Sequence, residues 1–127
     1  MVAIGPAPAV VGPRRADIHL VDFPEIAGNV ISGPHPAVIV SSDRLNRSSS
    51  TVLVCPMTSR IKHDPAAYLP PYLVAATART SGLGRDGYVK VDQVFVRPIA
   101  ALGPRIGRLN PETVEQLDGA LRFVLAI

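Results

Sequence analysis

Residues 37–60 read AVIVSSDRLNRSSSTVLVCPMTSR. AVIVSS (37–42) is a compact run with β-branched character, DRLNRSSS (43–50) is a polar loop, and TVLVC (51–55) is again apolar and β-friendly. Two such runs joined by a connection longer than a tight turn predict an antiparallel strand pair. Pro56 is expected to end the second strand, and Thr58, Ser59 and Arg60 follow it. Read alone, a Thr-Ser pair after a strand is turn chemistry, the hydroxyls bonding nearby backbone groups. Two hydroxyls and a guanidinium at the mouth of a strand are nevertheless an unusual ending for a purely structural segment.

Upstream, ADIHLVDF (16–23) alternates. Asp17, His19, Val21 and Phe23 fall on one side and Ile18, Leu20 and Asp22 on the other, the period of a strand. PEIAGNVISGPHP (24–36) is broken by proline and glycine and reads as a loop. Downstream, residues 60–86 are irregular: KHDP, LPPYL and TSGLGRDG are turn chemistry, with a short strand at Leu73 to Ala76. YVKVDQVFV (88–96) alternates as one strand, and Pro98 stops it. The firm helix comes last. Asn110 can cap it, Pro111 suits its first position, and Glu112 sits where the helix dipole favours an anion. Val114, Leu117, Leu121, Val124 and Leu125 then form a single apolar stripe. Strands first and one long helix last, without βαβ units, predict an α+β fold: a small twisted antiparallel barrel or sheet with a C-terminal helix.

The chain has 127 residues, 47% of them hydrophobic and 18% charged, which fits one globular domain and excludes a disordered one. No apolar stretch approaches the ~20 residues a membrane-spanning helix needs. MVAIGPAPAVVGP (1–13) lacks the basic start and apolar centre of a secretory signal and reads as a flexible tail, leaving 14–127 as the domain. Cys55 is the single cysteine; it allows no internal disulfide and fits a reducing cytoplasm. Inside a strand, it reads as buried packing rather than a nucleophile. Twelve of the 13 basic residues but only seven of the 10 acidic ones lie in residues 1–109, and 11 of the bases are arginine. Such a body suits a polyanion partner, because arginine forks onto phosphate oxygens. An Ala-, Pro- and Arg-rich composition reflecting the genome accounts for it equally well. No nucleotide-binding fingerprint is present, and His19, His35 and His63 lack metal-ligand spacing, so neither a metal nor another cofactor is expected.

Five blocks, in order, resemble the MazF/PemK family of toxin endoribonucleases over roughly residues 14–127. RRADIHLVDF resembles the family's "RGDIYLVDF", GNVISGPHPAVIV its "GxExxGxRPxxVV", and SSDRLNRSSSTVLVCPMTSR its "SNDxxNRxSxTVIVxPITSR". YVKVDQV resembles "VVxxDQI", and IGRLNPETVEQLDGALRFVLAI the family's "LGRLSPETMxxVDxALRxxLGL" helix. The resemblance implies a twisted five-stranded antiparallel barrel (SH3-like, of the CcdB/PemK type) with a C-terminal helix, assembled as a homodimer. It also implies metal-independent cleavage of single-stranded RNA, the ribose 2′-hydroxyl attacking the adjacent phosphorus. That chemistry needs a group to take the 2′ proton, one to protonate the departing 5′ oxygen, and donors for the charged phosphorane.

In the family an arginine before proline and the threonine of "PxTS" form the usual pair. The threonine carries over to Thr58, with Ser59 beside it as a second donor. The arginine does not: His35 precedes Pro36 here, Val30 replaces the family's glutamate, and Phe95 its second arginine. Either His35 takes over the acid–base work, for which an imidazole with an ordinary pKa near ~6.5 is suited, or the protein binds without efficient turnover. Asn46, Arg47, Arg60, Arg44 and Lys90 are the expected contacts to the RNA strand, each with a solvated-surface reading beside it. Asp92 and Gln93 either read a base edge or tie the sheet to the loops. The resemblance further implies an antitoxin whose acidic, disordered segment competes for the same groove. A CcdB-like gyrase poison shares the fold but ends in a Trp-Gly-Ile type of tail, which LRFVLAI lacks.

Overall fold

β1 (Asp17–Phe23) lies antiparallel to β2 (Gly33–Ile39), and β2 to β3 (Thr51–Thr58), in a computed structural model that describes residues 12–62 and 64–127. β3 is the hub. Its first half also pairs with β6 (Phe95–Pro98) and its last two residues with β5 (Gly87–Lys90), which pairs in turn with β4 (Leu73–Ala76). β7 (Arg105–Arg108) closes the other edge against β1. The described residues thus form one seven-stranded antiparallel sheet, followed by the helix α3 (Pro111–Leu125). The expected tail, for residues 1–11, lies outside the described residues, as does His63.

Alternation along the strands feeds two cores, one on each face. Ile18, Val38, Cys55 and Met57 pack with Leu117, Ala120 and Leu121 of α3. Val21, Phe23, Ala37, Ile39, Val52 and Val54 form the second core, which Phe95 joins edge-on against Phe23 at 4.8 Å. The helix starts as expected, with the Asn110 side chain accepting from the Thr113 N–H at 2.9 Å. Leu125, assigned to the buried stripe, is 52% exposed at the last turn.

Four expectations are corrected, and proline explains two. β2 begins at Gly33, so Pro34, His35 and Pro36 belong to a strand and not to a loop. β3 likewise runs through Pro56 to Thr58. Proline's fixed φ is compatible with an extended chain, and only its missing N–H is harmful there. Pro56 sits where β3 passes from β6 to β5, a point at which one donor fewer is tolerable. Third, the polar connection contains a helical turn, α1 (Asp43–Ser48), capped by Ser42, whose Oγ accepts from the Leu45 N–H at 3.2 Å. Fourth, the alternating run 88–96 is divided into β5 and β6 by a turn in which the Gln93 N–H reaches the Lys90 carbonyl at 3.1 Å. β7 gave no periodic signal: it is four residues long and contains Gly107, where a Cβ would collide with the Ser81 carbonyl of α2 (Ala78–Ser81).

Candidate active site

The end of β3 decides where the site lies. Register places Thr58 beside Tyr88 of β5. The β2–β3 pairing, Ala37 with Pro56 and Val38 with Cys55, carried two residues on, brings His35 opposite Thr58. His35 is therefore a strand residue, held also by β1, where its partner is Val21. Its Nδ1 lies 3.2 Å from the Met57 carbonyl and its Nε2 3.1 Å from the Ser32 carbonyl. Carbonyl oxygens only accept, so the neutral ring can satisfy one contact and the imidazolium both.

Thr58 Oγ1 accepts from the Arg60 N–H and donates to the Arg60 carbonyl, both at 3.1 Å. This is the turn chemistry expected of the pair, and it points the hydroxyl and Ser59 toward solvent rather than into packing. His35, Thr58, Ser59 and Arg60 line one open cleft of about 510 Å³, which the loop Leu83–Gly87 also lines. The four residues named from sequence at this place come together.

A second hollow, of about 410 Å³, shares Arg60 with the first. Asn29, Lys62, Tyr72, Lys90, Asp92 and Gln93 line it. Gln93 does not offer its amide to a ligand. Its Oε1 accepts from the Ile31 N–H and its Nε2 donates to the Asn29 carbonyl, each at 2.9 Å. Of the two roles open to it, the tie between sheet and loop is the one its side chain performs. The Lys62 ammonium reaches Asn29 Oδ1 of the same loop at 3.2 Å.

The remaining expected contacts are elsewhere. Asn46 is 5% exposed; its Oδ1 accepts from the Ser41 hydroxyl and its Nδ2 donates to the Ser41 carbonyl at 3.1 Å, so it braces the β2–α1 junction and cannot position RNA. Arg44 and Arg47 are exposed on α1 around a separate shallow hollow. That hollow adjoins the start of β3, whose seven-residue span to Thr58 is roughly 23 Å at strand rise. These three do not belong to the cleft. Of the substituted positions, Phe95 has structural work away from the cleft: it is in the second core and takes the Arg97 guanidinium over its ring at 5.6 Å.

Two other groups are removed from the chemistry. Cys55 is fully buried, and burial, helped by the Asp92 charge, pushes its thiol up to about 12, far from a usable nucleophile. His19 Nδ1 lies 2.9 Å from the Gly103 carbonyl, and its Nε2 is buried without a partner, as befits packing. Among the described residues no three His, Cys, Asp or Glu side chains cluster as metal ligands. Sequence reasoning missed Asn29, Lys62, Tyr72 and Arg85 as lining residues. They sit in irregular segments, where no periodicity says which way a side chain faces.

Known proteins share this fold. Residues 14–125 match the model of the "PemK-like, MazF-like toxin of type II toxin-antitoxin system". The chain is 32% identical to the endoribonuclease MazF9 of Mycobacterium tuberculosis over 117 residues, covering 88% of this chain and 95% of that protein. It is 28% identical to the endoribonuclease EndoA of Bacillus subtilis over 114 residues, covering 90% and 95%. A mycobacterial endoribonuclease solved in complex with its cognate antitoxin superposes with a TM-score of 0.72 at 25% identity, covering 91% of this chain and 96% of that one. With the family's fold, its block order and an open cleft at the end of β3, the chain belongs to the PemK-like, MazF-like toxins of type II toxin–antitoxin systems.

Proposed function

We propose that this toxin is an endoribonuclease that cuts single-stranded RNA by attack of a ribose 2′-hydroxyl on the adjacent phosphorus. The observation that carries the reading is the meeting of His35, Thr58, Ser59 and Arg60 on one open cleft. With Nδ1–H donating to the Met57 carbonyl, the Nε2 lone pair of neutral His35 faces the Ser32 carbonyl and gains nothing from it. Turned from Ser32 toward the cleft, that lone pair takes the 2′ proton, and the imidazolium so formed can donate to both carbonyls when it turns back, which suits the ring to the role of base. The new O2′–P bond forms and the P–O5′ bond breaks, leaving a cyclic phosphate; the departing oxygen takes its proton from solvent at the open mouth of the cleft. The Ser59 hydroxyl, and that of Thr58 once it exchanges the Arg60 carbonyl for the substrate, donate to the phosphorane oxygens, which carry more charge in the transition state than in the substrate. Arg60, between the two hollows, holds a neighbouring phosphate, and Lys90 and Asp92 contact the RNA beyond it.

The active form is a homodimer, in which a second copy covers some of the exposed apolar side chains, among them Val96 and Phe123. The cognate antitoxin presents an acidic, disordered segment that folds into the cleft, because its carboxylates and the RNA phosphates compete for the same cations. No helix among the described residues is long and apolar enough to cross a membrane, and a cytoplasmic site of action matches the substrate.

Incubating the purified protein with a pool of single-stranded RNA oligonucleotides in excess chelator tests the reading. The expected products end in 2′,3′-cyclic phosphate, and a 2′-deoxy sugar at the cut site blocks cleavage. An intact pool at high protein concentration, or cutting only after metal is added, overturns it.

A further inference from the structure

A permanently charged fork of donors stabilises a phosphorane more than hydroxyls alone, and His35 does not provide one. Its ring nitrogens both face backbone carbonyls. The cleft holds an arginine that the sequence motifs do not single out. Arg85 lines the same hollow as His35 and Thr58. It is exposed, and neither it nor Arg60 has an acidic partner among the described residues.

Its backbone is anchored on the side that matters. Asp86 Oδ1 accepts from the Ala78 N–H at 2.7 Å, tying the loop to α2. Gly87 packs so closely on the end of β3 that a Cβ there would lie 3.1 Å from the Thr58 carbonyl oxygen. The next residue, Tyr88, is Thr58's partner in the sheet. Arg85 thus hangs from a position set by Thr58 itself, with its immediate neighbour's carboxylate already engaged elsewhere.

We infer that Arg85 is a catalytic residue, supplying from the 83–87 loop the guanidinium that this chain lacks at position 35 and donating two N–H groups to non-bridging oxygens of the scissile phosphate. The assignment rests on the nuclease reading of the cleft. No proton leaves Arg85 at any step; it stays charged while charge accumulates on the phosphorane, so it stabilises the transition state more than bound substrate.

The experiment is single-turnover cleavage of an RNA oligonucleotide by the full chain and by Arg85→Ala, Arg85→Lys and Arg79→Ala. Arg79 is exposed on α2 outside the cleft, so its loss controls for net charge. Arg85→Ala is expected to cut on the order of 10²-fold more slowly at saturating protein, Arg79→Ala within about threefold of wild type. Arg85→Lys recovers part of the loss, because it restores the charge without the fork. Added methylguanidinium speeds Arg85→Ala and does nothing for Thr58→Ala. Wild-type cleavage with Arg85→Ala inside the range of Arg79→Ala, or without response to methylguanidinium, overturns the Arg85 assignment and leaves the nuclease standing. RNA left intact by wild type sinks the nuclease reading, and the assignment falls with it.

Discussion

Arginines at two places in this molecule are treated in opposite ways. At the β1–β7 edge, Arg105 and Arg108 converge on buried Asp17 at 3.1 and 2.8 Å, and the Arg14 N–H adds a third donor at 3.0 Å. Nearby, Arg15 joins Asp118 of α3 at 2.8 Å and the Val40 carbonyl at 3.0 Å, fastening the start of the domain to its end. In the cleft, Arg60 and Arg85 make no ion pair among the described residues, although Asp86 shares the lining. The first group is consumed by the fold. The second is left unpaired at a concave surface, where its charge draws in an anion and is worth more than on a flat one. Counting arginines in the sequence cannot separate the two groups; only their partners can.

That contrast can be broken from either side, and the cleft should give the largest response. Thr58→Ala is expected to lower the single-turnover rate by about 10²-fold, equivalent to about 2.7 kcal/mol of transition-state stabilisation. Its melting temperature should stay near wild type, because the lost hydroxyl bonds only within its own partly exposed turn. Thr58→Ser keeps the donor and should recover most of the rate. A large rate loss accompanied by an equally large loss of stability would instead make Thr58 a structural residue.

At the opposite edge the effect moves from rate to stability. Asp17→Asn removes the charge that two guanidiniums share, and should cost about 2 kcal/mol in denaturant unfolding while the cleavage rate per folded molecule is unchanged. The figure is moderated by the arginine side chains, which remain 55% and 37% exposed and regain water. Acid separates this cause from packing. Burial by itself raises the Asp17 carboxyl, but Arg108, the Arg14 N–H and Arg105 together outweigh it and hold the group below its ordinary value. A carboxyl depressed in the folded state stabilises fully above the unfolded pKa, near ~3.9, and loses that contribution as pH falls through the folded value. The gap between wild type and Asp17→Asn should therefore be constant at neutral pH and close below about pH 4. A gap indifferent to acid would mean that the substitution acts through shape.

Gln93 lies between the two regimes, since its contacts are internal but its position is at the second hollow. Gln93→Ala removes two hydrogen bonds to the 29–31 backbone, about 1 kcal/mol each where partly exposed. The loop that walls the hollow loosens, raising KM for RNA by several-fold with little change in kcat, and the Ile31 amide loses its protection from hydrogen exchange. A change in base preference at unchanged Ile31 protection would mean that Gln93 reads the RNA directly.

Sequence carried the scaffold further than the site, for physical reasons. Alternation and capping are local, so β1, β3 and α3 were visible in DIHLVDF, TVLVC and the Asn110–Glu112 start. His35 and Thr58 were recoverable only through the family's motif blocks, since residues 24–36 read as a loop and register between β2 and β3 is not visible in either run alone. Arg85 and Lys62 were not, because loop side chains take their direction from distant anchors such as Asp86 on α2 and Asn29 across the hollow. Asn46 misled for the same reason in reverse. Its residue type suits phosphate, yet Ser41, five residues earlier, had already taken both ends of its amide.

The smallest effect expected is at Arg44 and Arg47, and it is the one that fixes the extent of the RNA path. Both are exposed on α1, on a helical turn roughly 23 Å along β3 from Thr58, and neither has an acidic partner among the described residues. A short oligonucleotide held in the cleft cannot reach them, so the Arg44→Ala, Arg47→Ala double variant should cut it within about twofold of wild type. Each phosphate contact contributes about one unit to the dependence of log affinity on log salt, a little less on single strands. For a short RNA that slope should be unchanged in the double variant; for one of about ten nucleotides or more it should fall if the strand continues along the outside of β3. A rate loss on the short RNA would place α1 within the groove and require a path different from the one that runs through Arg60.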